Sequence, residues 1–164
     1  MSTQPSFNIT PVRTADDLEA TISLFHTYVK SLGVDLTFQD FENEMATMPG
    51  KYVPPAGELL LARSSQGEPI GCVALRALGS VGSGCCEMKR LYTLPDVRGV
   101  GVGKALVLAI LEVARCLQYD EIKLDTLPSM KSAIGLYKKL GFVETEPYYN
   151  TPLEGTIFLT LSLR

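Results

Sequence analysis

Apolar side chains recur every three to four positions in the early part of the chain, and this spacing predicts an amphipathic helix. Thr14 followed by Asp17 resembles a capping box at its start, and Gly33 provides a stop. The single histidine, His26, falls in this helix and is expected at its surface. The apolar positions are Leu18, Ile22, Phe25, Tyr28, Val29 and Leu32.

A second helix is predicted directly downstream. It starts near Thr37, continues through Phe38, Phe41, Met45 and Met48, and ends at Pro49-Gly50, a pair that does not continue a helix. A stiff connector containing two adjacent prolines follows.

Alternating and apolar runs then predict a sheet. Residues 7–13 are typical of an edge strand, and residues 58–64 and 70–78 flank a turn-forming segment, 65–69, as in a hairpin. Together with residues 85–94, the last two runs predict a three-stranded antiparallel meander.

The second half of the chain predicts a strand, helix, strand unit. Residues 105–114 are apolar almost all round, so this helix must be largely buried. The strand predicted at 121–126 therefore lies parallel to the one before the helix, with a right-handed crossover. A helix at 130–140 and strands at 142–145 and 156–163 complete the sheet.

Simple alternation in the strand from Glu87 to Leu94 places three charges toward the interior. It assigns Glu87, Lys89, Leu91 and Thr93 to one face and Met88, Arg90, Tyr92 and Leu94 to the other. Buried charge is costly unless it is paired or faces a cleft. A structural Glu87–Lys89 ion pair and a catalytic role for Glu87 both remain open.

Composition and charge narrow the function. With 164 residues the chain predicts one domain, 1–164. A formal charge of −3 with scattered basic residues argues against nucleic-acid binding. No run reaches the length of a membrane span, and Met1–Pro5 lacks the features of a signal peptide. We therefore expect a cytoplasmic protein with no membrane partner.

Cysteine and histidine usage predicts no metal site. Cysteines 72, 85, 86 and 116 contain no C-x-x-C pair, and His26 is the sole histidine. We expect the cysteines to be small packing residues in a reducing compartment.

Candidate chemistry concentrates in a glycine-rich loop between a strand and a helix. Gly99, Gly101 and Gly103 allow the backbone to approach a ligand closely. Successive N–H groups and the positive end of the following helix dipole then favour an anion, which predicts a pyrophosphate cradle.

Several phosphate-binding motifs combine a glycine-rich loop with a helix N-terminus, and the spacing of their glycines distinguishes them. A P-loop needs four residues between its glycines and Ser or Thr after the Lys, whereas Gly99 and Gly103 enclose three residues and Ala105 follows Lys104. A dinucleotide fingerprint needs G-x-G-x-x-G directly after the strand, and four residues intervene here. That second interpretation remains a minor alternative, with Asp125 as its ribose-binding acid.

The remaining pattern, Arg98-x-x-Gly101-x-Gly103, resembles the acetyl-CoA loop of the GNAT superfamily of acyl-CoA-dependent N-acetyltransferases. A second segment, 133–142, resembles the later motif of that superfamily, a helix that carries a tyrosine, here Tyr137, and ends in Gly-Phe. The resemblance covers residues 58–164 well and the first fifty-odd residues only in general layout.

This resemblance implies an α/β fold of the α+β type. Its sheet has six to seven mostly antiparallel strands with one parallel pair at the acetyl-CoA site, flanked by about four helices. The implied function is acetyl transfer from acetyl-CoA to a primary amine, which we expect to belong to a small molecule. A non-catalytic acyl-CoA-binding module and a protein or peptide acceptor are the alternatives, and exposed terminal strands make a homodimer plausible.

The resemblance also implies roles for individual residues. Tyr137 corresponds to the general acid beside the CoA sulfur, and Glu87 to the strand glutamate that some members use as a base. The first two helices and the following loop line the acceptor side, which makes Phe41, Tyr52, Glu42 and Glu44 candidates. Met130 stands where many members carry an asparagine that contacts CoA. Backbone groups of Leu91, Tyr92 and Thr93 would hold the pantetheine arm, and the pyrophosphate would be bound by Arg98, Gly99, Val100, Gly101, Val102, Gly103 and Lys104.

Overall fold

The computed structural model describes residues 6–33 and 40–164. The first helix, α1 (Ala15–Leu32), follows a short strand, β1 (Phe7–Pro11). The Thr14 hydroxyl accepts a 3.1 Å hydrogen bond from the Asp17 N–H, and Gly33 ends the helix with φ +64°. Both predicted boundaries of this helix are therefore confirmed, and His26 is exposed as expected.

Helix α2 (Phe41–Ala46) is shorter than predicted. The expected start, near Thr37 and Phe38, lies outside the described residues. The predicted end at Pro49-Gly50 is wrong, because the Thr47 N–H bonds back to Asn43 and Glu44 and the chain then turns. Proline at position 49 disfavours helical backbone in the residue before it, which is consistent with this early stop.

The remaining strands and helices follow one another in the order that the sequence predicts. They are β2 (Glu58–Ser64), β3 (Pro69–Ala77), β4 (Cys85–Thr93), α3 (Val102–Cys116), β5 (Glu121–Thr126), α4 (Lys131–Lys139), β6 (Val143–Glu144) and β7 (Ile157–Ser162). A single 3₁₀ turn, Pro95–Val97, links β4 to the glycine-rich loop.

The seven strands form one mixed sheet in the order β1-β2-β3-β4-β5-β7-β6. Only β4 and β5 are parallel among the described strands; the other neighbours are antiparallel. With four α-helices in the described ranges, this is the α+β architecture that the resemblance implies.

Two apolar clusters cover the two faces of the sheet. One contains the buried face of α3, with Leu106 and Ile110, and extends to Tyr137 of α4. The other lies under α1 and α2 and contains Phe25 and Phe41. Three of the cysteines, 72, 85 and 86, pack in the interior as expected, but Cys116 is exposed at the end of α3.

A β-bulge in β4 makes the predicted alternation wrong beyond Lys89. Ala74 of β3 pairs with Lys89, and Cys72 pairs with Tyr92, so β4 has one extra residue in this interval. Arg90 has φ +59°, a left-handed conformation that a non-glycine residue adopts at some cost. Met88 consequently packs on the α3 side and Tyr92 on the α1 side, rather than together.

No helix in the described ranges has both the length and the apolar character needed to cross a membrane.

Candidate functional site

The site is built where β4 and β5 part. Their parallel pairing extends only from Cys85–Glu121 to Glu87–Lys123, after which the two strands diverge. The rest of β4 is still paired with β3 on its other side. On the β5 side, the backbone of β4 from Met88 onward therefore has no strand partner among the described residues.

A slot occupies the gap between the diverging strands. Helix α1, and α4 with the turn before it, both contribute side chains to its walls. The slot is lined by Tyr28, Leu32, Met88, Lys89, Arg90, Leu91, Leu124, Asp125, Thr126, Leu127, Met130, Tyr137 and Leu153.

The three residues predicted to hold a pantetheine arm end β4 beside this slot. Leu91 lines the slot directly and packs against the α3 cluster. Tyr92 is buried on the opposite face, with its ring 5.5 Å from that of Tyr28, and Thr93 is partly buried. A contact to a ligand at Tyr92 would therefore involve its backbone rather than its ring.

The glycine-rich loop sits between β4 and the start of α3. Gly99 and Gly101 have φ of +91° and +90°, so each needs glycine for its conformation. A Cβ atom at either position would meet nothing within 4 Å, so the surface of the loop is open to a ligand. Gly103 already lies in the first turn of α3, where N–H groups lack helical partners.

The other predicted loop residues differ in their surroundings. Val100 is exposed, whereas Val102 is buried in the core, so Val102 could offer only its backbone. Arg98 places its guanidinium 6.0 Å from the centre of the Tyr92 ring, and Lys104 is exposed.

A second hollow lies between α3 and α4, next to the glycine-rich loop. Three lysines line it. Sequence reasoning identified only Lys104; Lys131 and Lys139 come from α4. Lys131 and Lys139 lie eight positions apart, a little over two helical turns, so both can reach the same hollow. This spacing is the sequence feature that could have identified them. The hollow is lined by Lys104, Lys131, Ser132, Gly135, Leu136, Lys139 and Leu140.

Tyr137 faces the slot from α4. It is buried, and its ring centre lies 5.6 Å from that of Phe142. Burial raises the pKa of the Tyr137 phenol. None of the side-chain hydrogen bonds within the described ranges involves its hydroxyl, and Tyr137 lines the slot, so the hydroxyl is available to a bound molecule.

Glu87 is buried at the point where the strands part. Its carboxylate forms a 2.8 Å ion pair with Arg76 across the β3–β4 ladder and accepts a 2.6 Å hydrogen bond from the Tyr148 hydroxyl. Arg76, and not the expected Lys89, is therefore its ion-pair partner. Burial and the nearby Glu87 carboxylate raise the pKa of Tyr148.

Asp125 on β5 reaches the slot directly and accepts a short hydrogen bond from the Tyr149 hydroxyl. From the sequence, Asp125 is expected only as the ribose-binding acid of a dinucleotide site. Tyr148 and Tyr149 are not predicted from the sequence, because they lie in a loop without periodicity, where no pattern indicates which group they contact.

The acceptor-side candidates fall into two groups. Glu44 accepts a 2.8 Å hydrogen bond from the Tyr52 hydroxyl and lies 3.3 Å from Arg90, whose guanidinium is 5.3 Å from the centre of the Phe41 ring. Glu42 is exposed and does not join this cluster.

Met130, which stands where many GNAT members carry asparagine, lines the slot. Its Sδ lies 4.0 Å from the Tyr28 hydroxyl.

Comparison with known proteins identifies the family to which the chain belongs. The GNAT acetyltransferase family profile matches residues 21–142. An N-acetyltransferase of Schizosaccharomyces pombe is 40% identical over 158 residues, which cover 96% of each chain. The N-acetylaspartate synthetase of Danio rerio is 30% identical over 141 residues, covering 80% of this chain and 49% of that protein.

A solved structure has the same fold. YncA of Salmonella typhimurium, determined with its cofactor acetyl-CoA, superposes with a TM-score of 0.74 at 19% identity, covering 97% of this chain and 95% of that one. Because the family profile spans most of the chain and the S. pombe relative matches it nearly end to end, the chain belongs to the GNAT family and is an acetyl-CoA-dependent N-acetyltransferase.

Proposed function

We propose that the protein transfers the acetyl group of acetyl-CoA directly to a primary amine of a small molecule while both substrates are bound. One observation carries the proposal: the parting of β4 and β5 opens a slot that Tyr137 lines. Bound acetyl-CoA supplies an activated acetyl group as a thioester. Side chains and backbone groups around the slot bind both substrates, remove a proton from the amine and protonate the departing thiolate.

The residues present fit a long, phosphate-bearing co-substrate. The backbone of Leu91, Tyr92 and Thr93 has no β5 partner among the described residues and can bind the pantetheine arm. A donor positioned at the thioester oxygen would stabilise developing negative charge there. The loop from Arg98 to Lys104 offers open backbone N–H groups and a helix start for the pyrophosphate.

Tyr137 is the proposed general acid. Burial raises its pKa, so the phenol keeps its proton throughout the neutral range. It can therefore donate a hydrogen bond to the departing thiolate and pass its proton as that bond tightens.

Glu87 is the proposed base. A primary amine with a pKa of about 10 must lose a proton before it can attack. We propose that Glu87 accepts it through water, next to the Tyr148 hydroxyl that it already binds. Asp125 is the competing candidate, because its carboxylate lines the slot itself.

A small acceptor is favoured over a protein. The slot is walled by side chains that include Tyr28, Met130 and Tyr137, and we infer that such a slot suits a small molecule. The Danio rerio relative is named for a product that is an acetylated amino acid, and this supports a small acceptor for the present chain as well.

Thermal melting with acetyl-CoA, CoA and NAD added separately, followed by an amine screen that detects free thiol, tests this function. A ligand that binds only the folded state raises its melting temperature. We expect shifts with acetyl-CoA and CoA alone, and amine-dependent thiol release. Binding without thiol release for any amine would instead favour a non-catalytic acyl-CoA-binding module.

Three further proposals come from the sequence. Residues 1–164 form one domain, the protein acts in the cytoplasm, and it forms a homodimer through an exposed sheet edge. Strands β1 and β6 are the two edges of the described sheet, so a β1 or β6 contact is the expected interface. Sedimentation analysis would test the dimer.

A further inference from the structure

We propose that Lys89 and Arg90 bind the carboxylate of the acceptor, so that the acceptor class is amino acids rather than simple amines. This inference rests on the proposed function, because an acceptor subsite presupposes transfer to a small molecule. It goes further by naming the acidic group that the acceptor must carry and the two residues that select it.

The bulge in β4 places two adjacent cations at the slot. In a regular strand, neighbouring side chains point to opposite faces. The extra residue at Arg90, with φ +59°, breaks this rule, and both Lys89 and Arg90 line the slot. Backbone strain of this kind persists only where the surrounding structure enforces it, and it is common at functional sites.

Both cations are buried without being fully satisfied. The Arg90 side chain is only 4% exposed, and its Nε and Nη2 both lie 3.3 Å from Glu44 Oε2. The contact from Nη2 is an ion pair without hydrogen-bond geometry, so this buried nitrogen makes no hydrogen bond in the described part of the chain. Its one ion-pair partner there, Glu44, lies 3.3 Å away and is shared with Tyr52. Lys89 is 9% exposed and forms no ion pair within residues 6–33 and 40–164.

The neighbouring carboxylates are already occupied by other donors. Glu87 is bound by Arg76 and Tyr148, and Asp125 is bound by Tyr149. Neither of these two carboxylates forms an ion pair with Lys89 or Arg90 among the described residues. A buried guanidinium or ammonium with too few partners is costly, and a carboxylate of the acceptor would reduce this cost through charge-assisted hydrogen bonds.

The position of the two cations suits an acceptor rather than the co-substrate. They directly precede Leu91, the first of the residues proposed to hold the pantetheine and thioester, and Asp125 lies in the same slot on the diverging strand. A carboxylate held by Lys89 and Arg90 would place the amine of a short amino acid beside the end of β4.

A paired substrate screen tests the carboxylate requirement. Each amino acid is compared with its decarboxylated amine and its carboxamide by thiol release. We expect kcat/KM for the preferred amino acid to exceed that for both counterparts by about tenfold to a hundredfold, the range for hydrogen bonds to a charged group. Equal kcat/KM values across each set would overturn the subsite while leaving acetyl transfer to small amines intact.

Variants assign the effect to the two residues. Lys89→Met and Arg90→Gln should raise KM for the amino acid about tenfold or more and leave KM for the decarboxylated amine unchanged. Arg90→Lys should recover part of the loss. Arg115→Gln, on the exposed end of α3, is the matched control and should change neither. If Lys89→Met and Arg90→Gln raise KM equally for both substrates, the subsite assignment is wrong.

A binding measurement separates this inference from the proposed function. Calorimetry compares an N-acetyl amino acid with its N-acetyl amine counterpart, each added with CoA, and needs no turnover. Carboxylate-dependent binding that is lost in Lys89→Met supports the subsite even if no amine releases thiol. Absence of any carboxylate preference in wild-type protein that binds CoA would overturn it. Thermal shift with acetyl-CoA verifies that each variant is folded, and Lys89→Met removes no ion pair among the described residues.

Discussion

At the scale of single residues, Tyr137 combines a buried ring with a hydroxyl that takes part in no side-chain hydrogen bond within the described ranges. Its contact with Phe142 accounts for the packing of the ring. The hydroxyl does not contribute to this packing, so it can form a hydrogen bond with a bound molecule. A change that removes only the oxygen therefore separates packing from chemistry.

We expect Tyr137→Phe to lower kcat about a hundredfold, in the range for loss of a general acid, with a Kd for acetyl-CoA within about twofold of wild type. Single-turnover kinetics and calorimetry measure the two quantities. Tyr119→Phe is the control, since that hydroxyl donates to the Ala56 carbonyl. Equal losses in kcat and in affinity would remove the acid role.

Glu87 is held by two hydrogen-bonding partners, so its substitution needs a readout that a structural role would not change. We expect Glu87→Gln to lower kcat/KM about a hundredfold at neutral pH and to recover in part at alkaline pH, where the free amine is abundant. Rate profiles from pH 6.5 to 9 measure this.

Asp125→Asn is the companion variant for the base. If Glu87→Gln keeps full activity at neutral and alkaline pH while Asp125→Asn does not, the proton acceptor is Asp125 and the Glu87 assignment fails.

At the scale of elements, the N-terminus of α3 and one face of α4 together form a basic hollow beside the glycine-rich loop. CoA carries a 3′-phosphate in addition to the pyrophosphate, and clustered lysines attract such a group. Lys138 lies on the same helix but outside the hollow, at 4.0 Å from Glu144.

The double variant Lys131→Ala/Lys139→Ala should weaken CoA binding about threefold to tenfold and leave 3′-dephospho-CoA binding nearly unchanged, with the difference shrinking at high salt. Calorimetry with both ligands measures it, and Lys138→Ala is the control. Equal weakening for both ligands would mean that the lysines do not contact the 3′-phosphate.

At the scale of the whole molecule, the protein buries many groups that ionise at alkaline pH. Burial raises the pKa of Tyr28 to about 12 and that of Cys85 to about 11, and it also raises the pKa of Tyr52, Tyr137 and Cys72. The unfolded chain releases these protons first, from about pH 9 for cysteine and 10 for tyrosine. Their stabilisation is therefore fully present below pH 9 and is lost as the pH rises through the folded-state values.

We expect the free energy of unfolding to fall between pH 8 and pH 10.5, with Tyr28 alone accounting for about 1 kcal/mol at the upper limit. Lys89 has the opposite effect, because burial lowers its pKa. The free-energy cost of burying its charge disappears when it loses its proton, so its contribution to stability rises with pH. Urea unfolding at both pH values, with tyrosinate absorbance as a second probe, measures the change. A constant free energy of unfolding would contradict the burial of these phenols.

Features that depend only on residues close together in the chain could be predicted from the sequence. The Thr14 cap, the Gly33 stop, the glycine-rich loop and the order of strands and helices follow from local backbone preferences and from side-chain periodicity over a few turns. The position of Tyr137 followed from a helix and its closing Gly-Phe, which are also local.

The pairing of the charged residues could not be predicted, because it depends on contacts between distant parts of the folded chain. The Arg90 bulge comes from the register between β3 and β4, and the Glu87–Tyr148 and Arg90–Glu44 contacts join residues 61 and 46 positions apart. The alternation of side chains along β4 does not show where its pairing with β3 leaves one residue of β4 without a partner. The acceptor side of the slot therefore emerged only once the sheet was assembled, because its electrostatics depend on which distant side chains satisfy each buried charge.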